Sequence, residues 1–405
     1  MPCSDRNADQ GAVDVLVVGG GPAGSAVALE LLGAGVTVAV AERSTGRRPK
    51  VGEVLAPTAR PLLAALGVLE RVATQGHLPS PIVHCDWGEG GLYQHDLTFH
   101  PYGPNWHLDR PLFDATLLAA VEEQGGVVWR GSWLRSLARC DRDSWLVELG
   151  AATGSSPQCV VTRFVVDATG RSAAVARHLT RVRVVDDLVA VVGFLDRGPH
   201  TSVVDVVTVL EAVEDGWWYA GQLPGGRLVA GFLTDRDLVP AERALVAPHH
   251  RRTLAATAHI SRLWLDPADA ATVRLVPAGT SRLESFAGNG WLAVGDAAMA
   301  LDPLSGDGIS RALESGRRGA DVVRRSLTGD RGGIDDYVAD RERAFTTYLA
   351  DHHRFYQRER RWPASPFWQR RHEALDPGAP VPSAATHRTR RIRLSEVSST
   401  VTRTM

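Results

Sequence analysis

The sequence almost lacks lysine: of its 405 residues only Lys50 carries a primary amine side chain, and arginine supplies the other basic groups. Basic and acidic residues nearly cancel, 45 against 46, for a net charge of -1. That balance excludes a general electrostatic pull toward nucleic acid or an anionic membrane. Cysteine is scarce, and Cys3, Cys85, Cys140 and Cys159 form no C-x-x-C pair. Such scatter argues against a disulfide framework and against a thiolate metal site, and it suits a reducing compartment. No uninterrupted apolar run reaches about 18 residues, so no membrane span is expected. The first residues, MPCSDRNADQGAVD, lack the basic and apolar regions of a signal peptide. Together these absences predict a soluble, cytoplasmic protein. Its 44% hydrophobic and 22% charged composition is that of a globular chain, and 405 residues suit two domains, one inserted into the other.

Two glycine-rich stretches stand out against this ordinary background. In the first, the β-branched run DVLVV (14–18) reads as a buried parallel strand, followed by GGGPAG, a helical SAVALELLGAG and a second strand VTVAVAER. Gly19, Gly21 and Gly24 occupy the G-x-G-x-x-G positions. The first glycine allows a tight turn, and the second lets a pyrophosphate approach the backbone. The third lets helix and strand pack closely, with the helix N-terminus toward the anion. Glu42 ends the second strand, where a carboxylate can accept both hydroxyls of an adenosine ribose and disfavours a 2′-phosphate. FAD and NAD both remain open on these residues.

In the second stretch, GWLAVGDAAMALDPLSGDGISRAL (290–313), an apolar strand runs into Gly295-Asp296. The step Asp302-Pro303 follows, and the turn Gly306-Asp307-Gly308 opens a helix near Ile309. Acids buried at a strand end need partners.

Four separated segments resemble the FAD-dependent monooxygenase superfamily that contains p-hydroxybenzoate hydroxylase, flavin halogenases and geranylgeranyl reductases. They are the first glycine loop with its strands, WHLDRPLFDATLLAAVEEQG, FVVDATGRSAAVAR and the second glycine stretch. The resemblance covers residues 13 to 330 and implies FAD, held by Gly19, Gly21, Pro22, Ala23, Gly24, Glu42 and Arg43. It adds Arg110 at the ribose or pyrophosphate, and Asp167 and Gly170 of the D-x-x-G strand end. Gly295 and Asp296 meet the ribityl chain, while Gly306, Gly308 and Ile309 bring amides and a helix N-terminus to the flavin ring edge. A positive helix end there stabilises charge on reduced flavin.

The implied fold class is α/β: a discontinuous, GR2-type, Rossmann-like FAD-binding domain (12–75, 105–180 and 277–330) with an inserted antiparallel β-sheet substrate domain (76–104 and 181–276). The β-rich character of 181–276 is read from runs such as SVVDVVTVLEAVEDG, WWYAGQL and RLVAGFLTD, with LPGGR as a hairpin turn. A C-terminal helical segment (334–372) follows, with Ile334, Tyr337, Val338, Phe345, Tyr348, Leu349, His352 and Phe355 at three- and four-residue steps. The tail from 376 to 405, rich in Pro, Ser, Thr and Arg, is expected to be disordered.

FAD alone leaves the reaction open. The reading favoured by the resemblance is a monooxygenase that passes oxygen from a flavin C4a-hydroperoxide to an aromatic substrate. O2 is the co-substrate, and NADH, NADPH or a partner flavin reductase is the electron source. KVGEVLAPTARPLLAALGV, GWWYAGQLPGGRLVAGFLTD and DPLSGDGI suggest the branch of tryptophan-modifying hydroxylases that mature quinone cofactors, so the aromatic substrate can be free, carrier-bound or part of a peptide. A flavin halogenase is the first alternative. The halogenases carry W-x-W-x-I-P where this chain reads WWYAGQLP (217–224), and they need a lysine some two dozen residues after the G-E, where none stands. Arginine cannot replace that amine because its pKa is too high. A reductase of isoprenoid double bonds and a non-enzymatic flavoprotein are the remaining alternatives. Glu53 is a candidate for proton handling at the flavin edge. His100 and His107 are candidate bases for a phenol or indole, and with His95 they show no metal-site pattern. Trp217, Trp218 and Tyr219 are candidates for an aromatic wall over the substrate, with Trp217 and Tyr219 on one strand face and Trp218 on the other.

Overall fold

The computed structural model describes residues 13–46, 50–152, 157–196, 207–263, 272–330, 332–373 and 375. The tail expected to be disordered lies outside these residues. Two large sheets carry the architecture. The first is built on five parallel strands in the order Trp291–Ala293, Gln158–Asp167, Val13–Val18, Val38–Glu42 and Val127–Arg130. Val15, Leu16 and Val17 are fully buried, because helices cover the sheet as parallel strands require. An antiparallel extension, Trp145–Ala151 and Ser132–Arg139, leads out to solvent. Val18 pairs with Asp167 and Asp167 with Ala293, so three strands far apart in sequence end side by side.

The helix Pro22–Gly33 leaves the first of these ends and Gly308–Leu327 follows the third. Small residues let them pack closely: a Cβ on Gly316 would sit 2.4 Å from the Ala23 carbonyl oxygen, and one on Gly295 would sit 2.9 Å from the Ala23 Cβ. This packing joins the two glycine-rich loops in space although 276 positions separate Gly19 from Gly295.

The second large sheet has seven strands, ordered Thr272–Pro277, Leu188–Asp196, Arg227–Asp235, Gly216–Leu223, Val207–Val213, Ile82–Asp86 and Leu92–Asp96. It departs from the expected antiparallel pattern at one place: Val207–Val213 runs parallel to Ile82–Asp86. That strand comes from an early segment, and a parallel pair needs a long crossover rather than a hairpin. A small sheet of Val54–Leu55, Asn105–His107 and Leu78–Ser80 bridges the two layers.

The C-terminal helices Gly332–Tyr356 and Pro366–His372 cap the seven-stranded sheet. Phe367, Trp368 and Tyr356 are fully buried against Trp217 and Trp87 in a shared aromatic core. Arg371, 4% exposed, pairs with Asp235 at 2.7 Å, and Arg370 reaches the same carboxylate at 2.8 Å. No helix among the described residues is long and apolar enough to cross a membrane.

Candidate flavin and substrate site

The first glycine loop divides its labour by position. Gly19 has φ +106°, and a Cβ there would lie 2.3 Å from the Ala168 carbonyl oxygen. A Cβ on Gly24 would lie 1.9 Å from the carbonyl oxygen of Gly19. Gly21, by contrast, faces open space, with nothing within 4 Å of an added Cβ. It is the N-cap of Pro22–Gly33 and has no side-chain cap. Backbone amides and a helix N-terminus therefore face an open cradle, the surroundings a pyrophosphate requires. Glu42 fastens the loop, its Oε2 accepting from Gly20 N at 2.8 Å and its Oε1 from Ser44 N at 2.8 Å. Arg43 is exposed beside it.

The second loop has the same character. Gly306 has φ +65°, and neither Gly306 nor Gly308 has a neighbour in the space a Cβ would take. Asp307 precedes the helix Gly308–Leu327 without a side-chain cap, and Ile309 is buried behind it. Asp296 proves to be exposed rather than buried; its side chain is 45% accessible and stands 3.8 Å from Arg171 Nε. The buried acid of this stretch is Asp302, 2% exposed. Two open glycine cradles at adjacent helix N-termini, with an accessible carboxylate between the loops, fit an extended dinucleotide. Gly21, Pro22 and Ala23 could hold its pyrophosphate, Glu42 its ribose, Asp296 the ribityl chain and Gly306 to Ile309 the flavin edge.

Two residues assigned to the cofactor are engaged with protein groups. Asp167 is fully buried, and both its oxygens are occupied: Oδ1 accepts from Thr169 N and Oγ1, and Oδ2 accepts from Val175 N and Ala176 N. Its carboxylate folds back on its own turn, so its part is to shape that turn, from which Gly170 (φ +62°) faces open space. Arg110 donates to the carbonyls of Val51 (3.0 Å) and Gly52 (2.6 Å) and pairs with Asp114 at 3.3 Å. It holds the loop that carries Glu53. Lys50 donates to the same Asp114 at 2.7 Å. Arg171, which the motif reading passed over, donates to the carbonyls of Ala278 and Leu301 and ties the D-x-x-G turn to the second glycine loop. Its place directly after the motif was the available signal.

Between the bridging sheet and the seven-stranded sheet lies a small cavity with room for about one water, lined by Glu53, His107, Thr208, Tyr219, Gly221 and Leu223 among others. Glu53 is 3% exposed; its Oε2 accepts from Gly52 N at 3.0 Å, and its Oε1 is buried without a partner. Burial pushes its pKa up to about 7, against the opposing pull of its own loop amides and of Arg110. The Tyr219 hydroxyl is likewise buried without a partner, and burial, then the Glu53 charge, drives its pKa well above the phenol value. The Tyr219 ring lies across Gly231, where a Cβ would come within 2.2 Å of it.

The histidines do not serve as expected. His107 has both ring nitrogens engaged, Nδ1 with the Gln222 carbonyl at 2.6 Å and Nε2 with Thr208 Oγ1 at 2.8 Å. A carbonyl only accepts, so Nδ1 carries the proton and Nε2 accepts from the threonine. Burial lowers its pKa to about 4, leaving a neutral ring with no free lone pair: a wall of the cavity, not a base. His100 lies in the turn after Leu92–Asp96, its Nδ1 accepting from Tyr102 N, away from the cavity lining. The strand alternation separates the three aromatics. Trp217 packs in the aromatic core on the same side as Tyr219, and Trp218 stacks on Phe232 at 5.0 Å on the opposite side. Of the three, Tyr219 lines the cavity. Thr208 was not anticipated, because nothing distinguishes it from other residues of its strand.

A family model described as "FAD binding domain" matches residues 12–214. The putative FAD-dependent oxidoreductase LodB of Marinomonas mediterranea is 31% identical over 372 residues, covering 89% of this chain and 96% of that one. Among solved structures, the myxobacterial chondrochloren halogenase CndH superposes with a TM-score of 0.81 at 24% identity, over 89% of this chain and 86% of the other; that likeness is one of fold. The peptidyl tryptophan dihydroxylase QhpG, essential for tryptophylquinone cofactor biogenesis, superposes with a TM-score of 0.74 at 25% identity, over 89% and 79% of the two chains.

Proposed function

Since the chain belongs to the FAD-binding-domain family and is an FAD-dependent oxidoreductase, we propose that it hydroxylates an aromatic substrate whose polar ring atom enters the small cavity between its bridging sheet and its seven-stranded sheet. The observation that carries this reading is the pair of buried, unpartnered polar groups, Glu53 Oε1 and Tyr219 OH, facing one small cavity. Buried polar atoms without partners are costly, and a bound substrate that supplies a donor and an acceptor removes the cost.

In the proposed reaction one atom of O2 enters a ring C–H bond to give C–OH and the other leaves as water. NADH, NADPH or a partner flavin reductase supplies the two electrons. Bound FAD supplies the redox chemistry that activates oxygen. The chain's own residues do the rest. Glu53, with a pKa near neutrality, accepts a proton from a ring N–H or O–H, which enriches the ring in electrons, and returns it afterwards. Tyr219 donates to an acceptor on the substrate, and neutral His107, locked by Gln222 and Thr208, shapes the wall without competing for protons. Arg110 holds the Glu53 loop in place.

The likeness to a peptidyl tryptophan dihydroxylase supports a peptide-borne aromatic residue as the substrate. The likeness to a halogenase is weighed against the single lysine, whose amine is bonded to Asp114 and does not line the cavity. The test incubates the FAD-loaded protein, with NAD(P)H and a flavin reductase, under ¹⁸O2 with bromide present. Tryptophan- and tyrosine-containing peptides and the free amino acids serve as probes. Mass spectrometry showing one ¹⁸O per turnover in a probe ring supports hydroxylation. Brominated product without ¹⁸O overturns it in favour of halogenation, and oxidation of NAD(P)H with every probe unaltered overturns the aromatic assignment.

A further inference from the structure

The C-terminal helix contributes a side chain that neither glycine motif nor cavity accounts for. Tyr356, the last residue of Gly332–Tyr356, is fully buried. Its hydroxyl donates to Asp302 Oδ2 at 2.8 Å and accepts from Trp217 Nε1 at 2.9 Å. The direction follows from chemistry: an indole N–H only donates, so the single hydroxyl proton is left for the carboxylate. Asp302 Oδ1 accepts from Leu304 N at 2.9 Å and so caps the short turn Pro303–Ser305. Asp302 N in turn donates to the Tyr348 hydroxyl at 3.2 Å, and His352 Nε2 lies 3.4 Å from Oδ2. Burial opposes the charge on Asp302, yet the hydrogen bond and charge of His352, together with Tyr356, hold its pKa below the ordinary carboxylate value.

The two ends of this chain of hydrogen bonds are informative. Trp217 stands two residues before Tyr219, on the same side of the same strand, and Tyr219 lines the cavity. Asp302 and Leu304 lead directly into Gly306 and Gly308, the cradle at the N-terminus of Gly308–Leu327. One hydroxyl thus fastens the strand of the substrate cavity to the loop of the second glycine cradle, from a helix that belongs to neither.

We propose that Tyr356 is a positioning residue that sets the second glycine loop against the flavin through Asp302. It registers that loop to the cavity strand through Trp217. The proposal rests on the flavin lying at the Gly306–Gly308 turn and is independent of which reaction the flavin performs. Without the hydroxyl, the Trp217 N–H loses its acceptor and Asp302 loses a donor, so the turn that receives the flavin is freed to shift.

The test compares Tyr356→Phe, which keeps the buried ring, with Trp217→Phe, which removes the N–H from the other end. Trp87→Phe is the control. Trp87 sits in the same aromatic core and donates to the Phe355 carbonyl at 3.2 Å, but touches neither Asp302 nor the strand of Tyr219 through a hydrogen bond. FAD affinity is measured by titrating apoprotein and following flavin fluorescence, and the flavin midpoint potential by equilibration with a reference dye. Tyr356→Phe is expected to weaken FAD binding about ten-fold, the size of a lost hydrogen bond to a charged group, and to shift the potential. Trp217→Phe is expected to move both in the same direction by less. Trp87→Phe is expected to lower the melting temperature while leaving both readouts in place. If Tyr356→Phe and Trp217→Phe lower only the melting temperature, or if Trp87→Phe moves FAD affinity equally, the role is structural and the proposal falls. If Tyr356→Phe does not fold, Trp217→Phe alone decides. Wild-type apoprotein that takes up no FAD would instead overturn the flavin assignment of the turn.

Discussion

The parallel-sheet half and the seven-stranded half are built to different logics. In the parallel half the working parts are backbone: amides at two helix N-termini, and glycines whose missing Cβ atoms make room. Gly24 is filled to contact and Gly21 is left open, three residues apart. Where the seven-stranded half meets the bridging sheet the working parts are side chains, Glu53 and Tyr219, brought together from distant positions by the packing of one sheet on the other. A backbone site depends on spacing along the chain, whereas a side-chain site depends on what the fold juxtaposes.

The contrast is sharpest where one half can be damaged without the other. The largest effect is expected from Gly24→Val. With a Cβ forced to 1.9 Å from the Gly19 oxygen, the first strand-helix unit cannot close, and purified protein should be unfolded or free of FAD by absorbance. A folded, FAD-loaded variant would show that the close packing is dispensable. Next comes Arg371→Met, which strips a buried partner from Asp235. Arg370 stays on that carboxylate, so the loss is expected near the lower end for broken buried pairs, about 3 kcal/mol in denaturant unfolding. The seven-stranded half should loosen first, exposing its tryptophans to quenchers while FAD is still retained. Simultaneous loss of both would make the two halves one cooperative unit.

Glu53→Gln is expected to trade activity for stability. In the folded protein burial raises the carboxyl pKa from 4.5 to about 7, so the folded state prefers the protonated form. That preference contributes fully below the unfolded value of 4.5, and it is lost as pH rises through about 7. At pH 8 the wild type therefore buries an unfavourable charge that glutamine lacks. The variant should gain up to about 3 kcal/mol there and about 1 kcal/mol or less at pH 5, measured on apoprotein, while turnover falls. A gain that is equal at both pH values would remove the charge from the explanation. The smallest effect on stability belongs to Gly21→Ala, where an added methyl meets nothing. Its melting temperature as apoprotein should match the wild type while FAD affinity falls. Unchanged affinity would leave that cradle without a ligand.

These halves also differ in how far the sequence discloses them. Strand, turn and helix around Gly19 and around Gly306 could be read because glycine spacing and a β-branched run state a backbone requirement directly. Alternation likewise places Trp217 and Tyr219 on one side and Trp218 on the other. The bonds of Asp167 were not legible, because a carboxylate that closes its own turn and one that binds a ligand share the same D-x-x-G spacing; the amides of Val175 and Ala176 that it accepts from lie beyond the motif. His107 misleads in a similar way, since the carbonyl and hydroxyl that engage its two nitrogens come from strands more than a hundred residues away. No local pattern announces the parallel pairing of Val207–Val213 with Ile82–Asp86, which places Thr208 beside that histidine. Tyr356 stands four residues after His352 on the same buried helix face, so its burial was within reach of helical periodicity, but its partners were not.

The cap that locks Asp235 under Arg371 also imposes an order in time. The two residues are 136 positions apart, and the ribosome finishes the strand well before it makes the helix that covers it. At typical synthesis rates that interval is on the order of ten seconds. Throughout it, Trp87 and Trp217 lack the Tyr356, Phe367 and Trp368 that will bury them. The parallel half, whose last strand and helix end at Leu327, can close earlier. A nascent chain should therefore acquire its glycine cradles first and the cavity beside Tyr219 last, and truncation shortly before Pro366 should yield a chain that aggregates during synthesis although every glycine motif is intact.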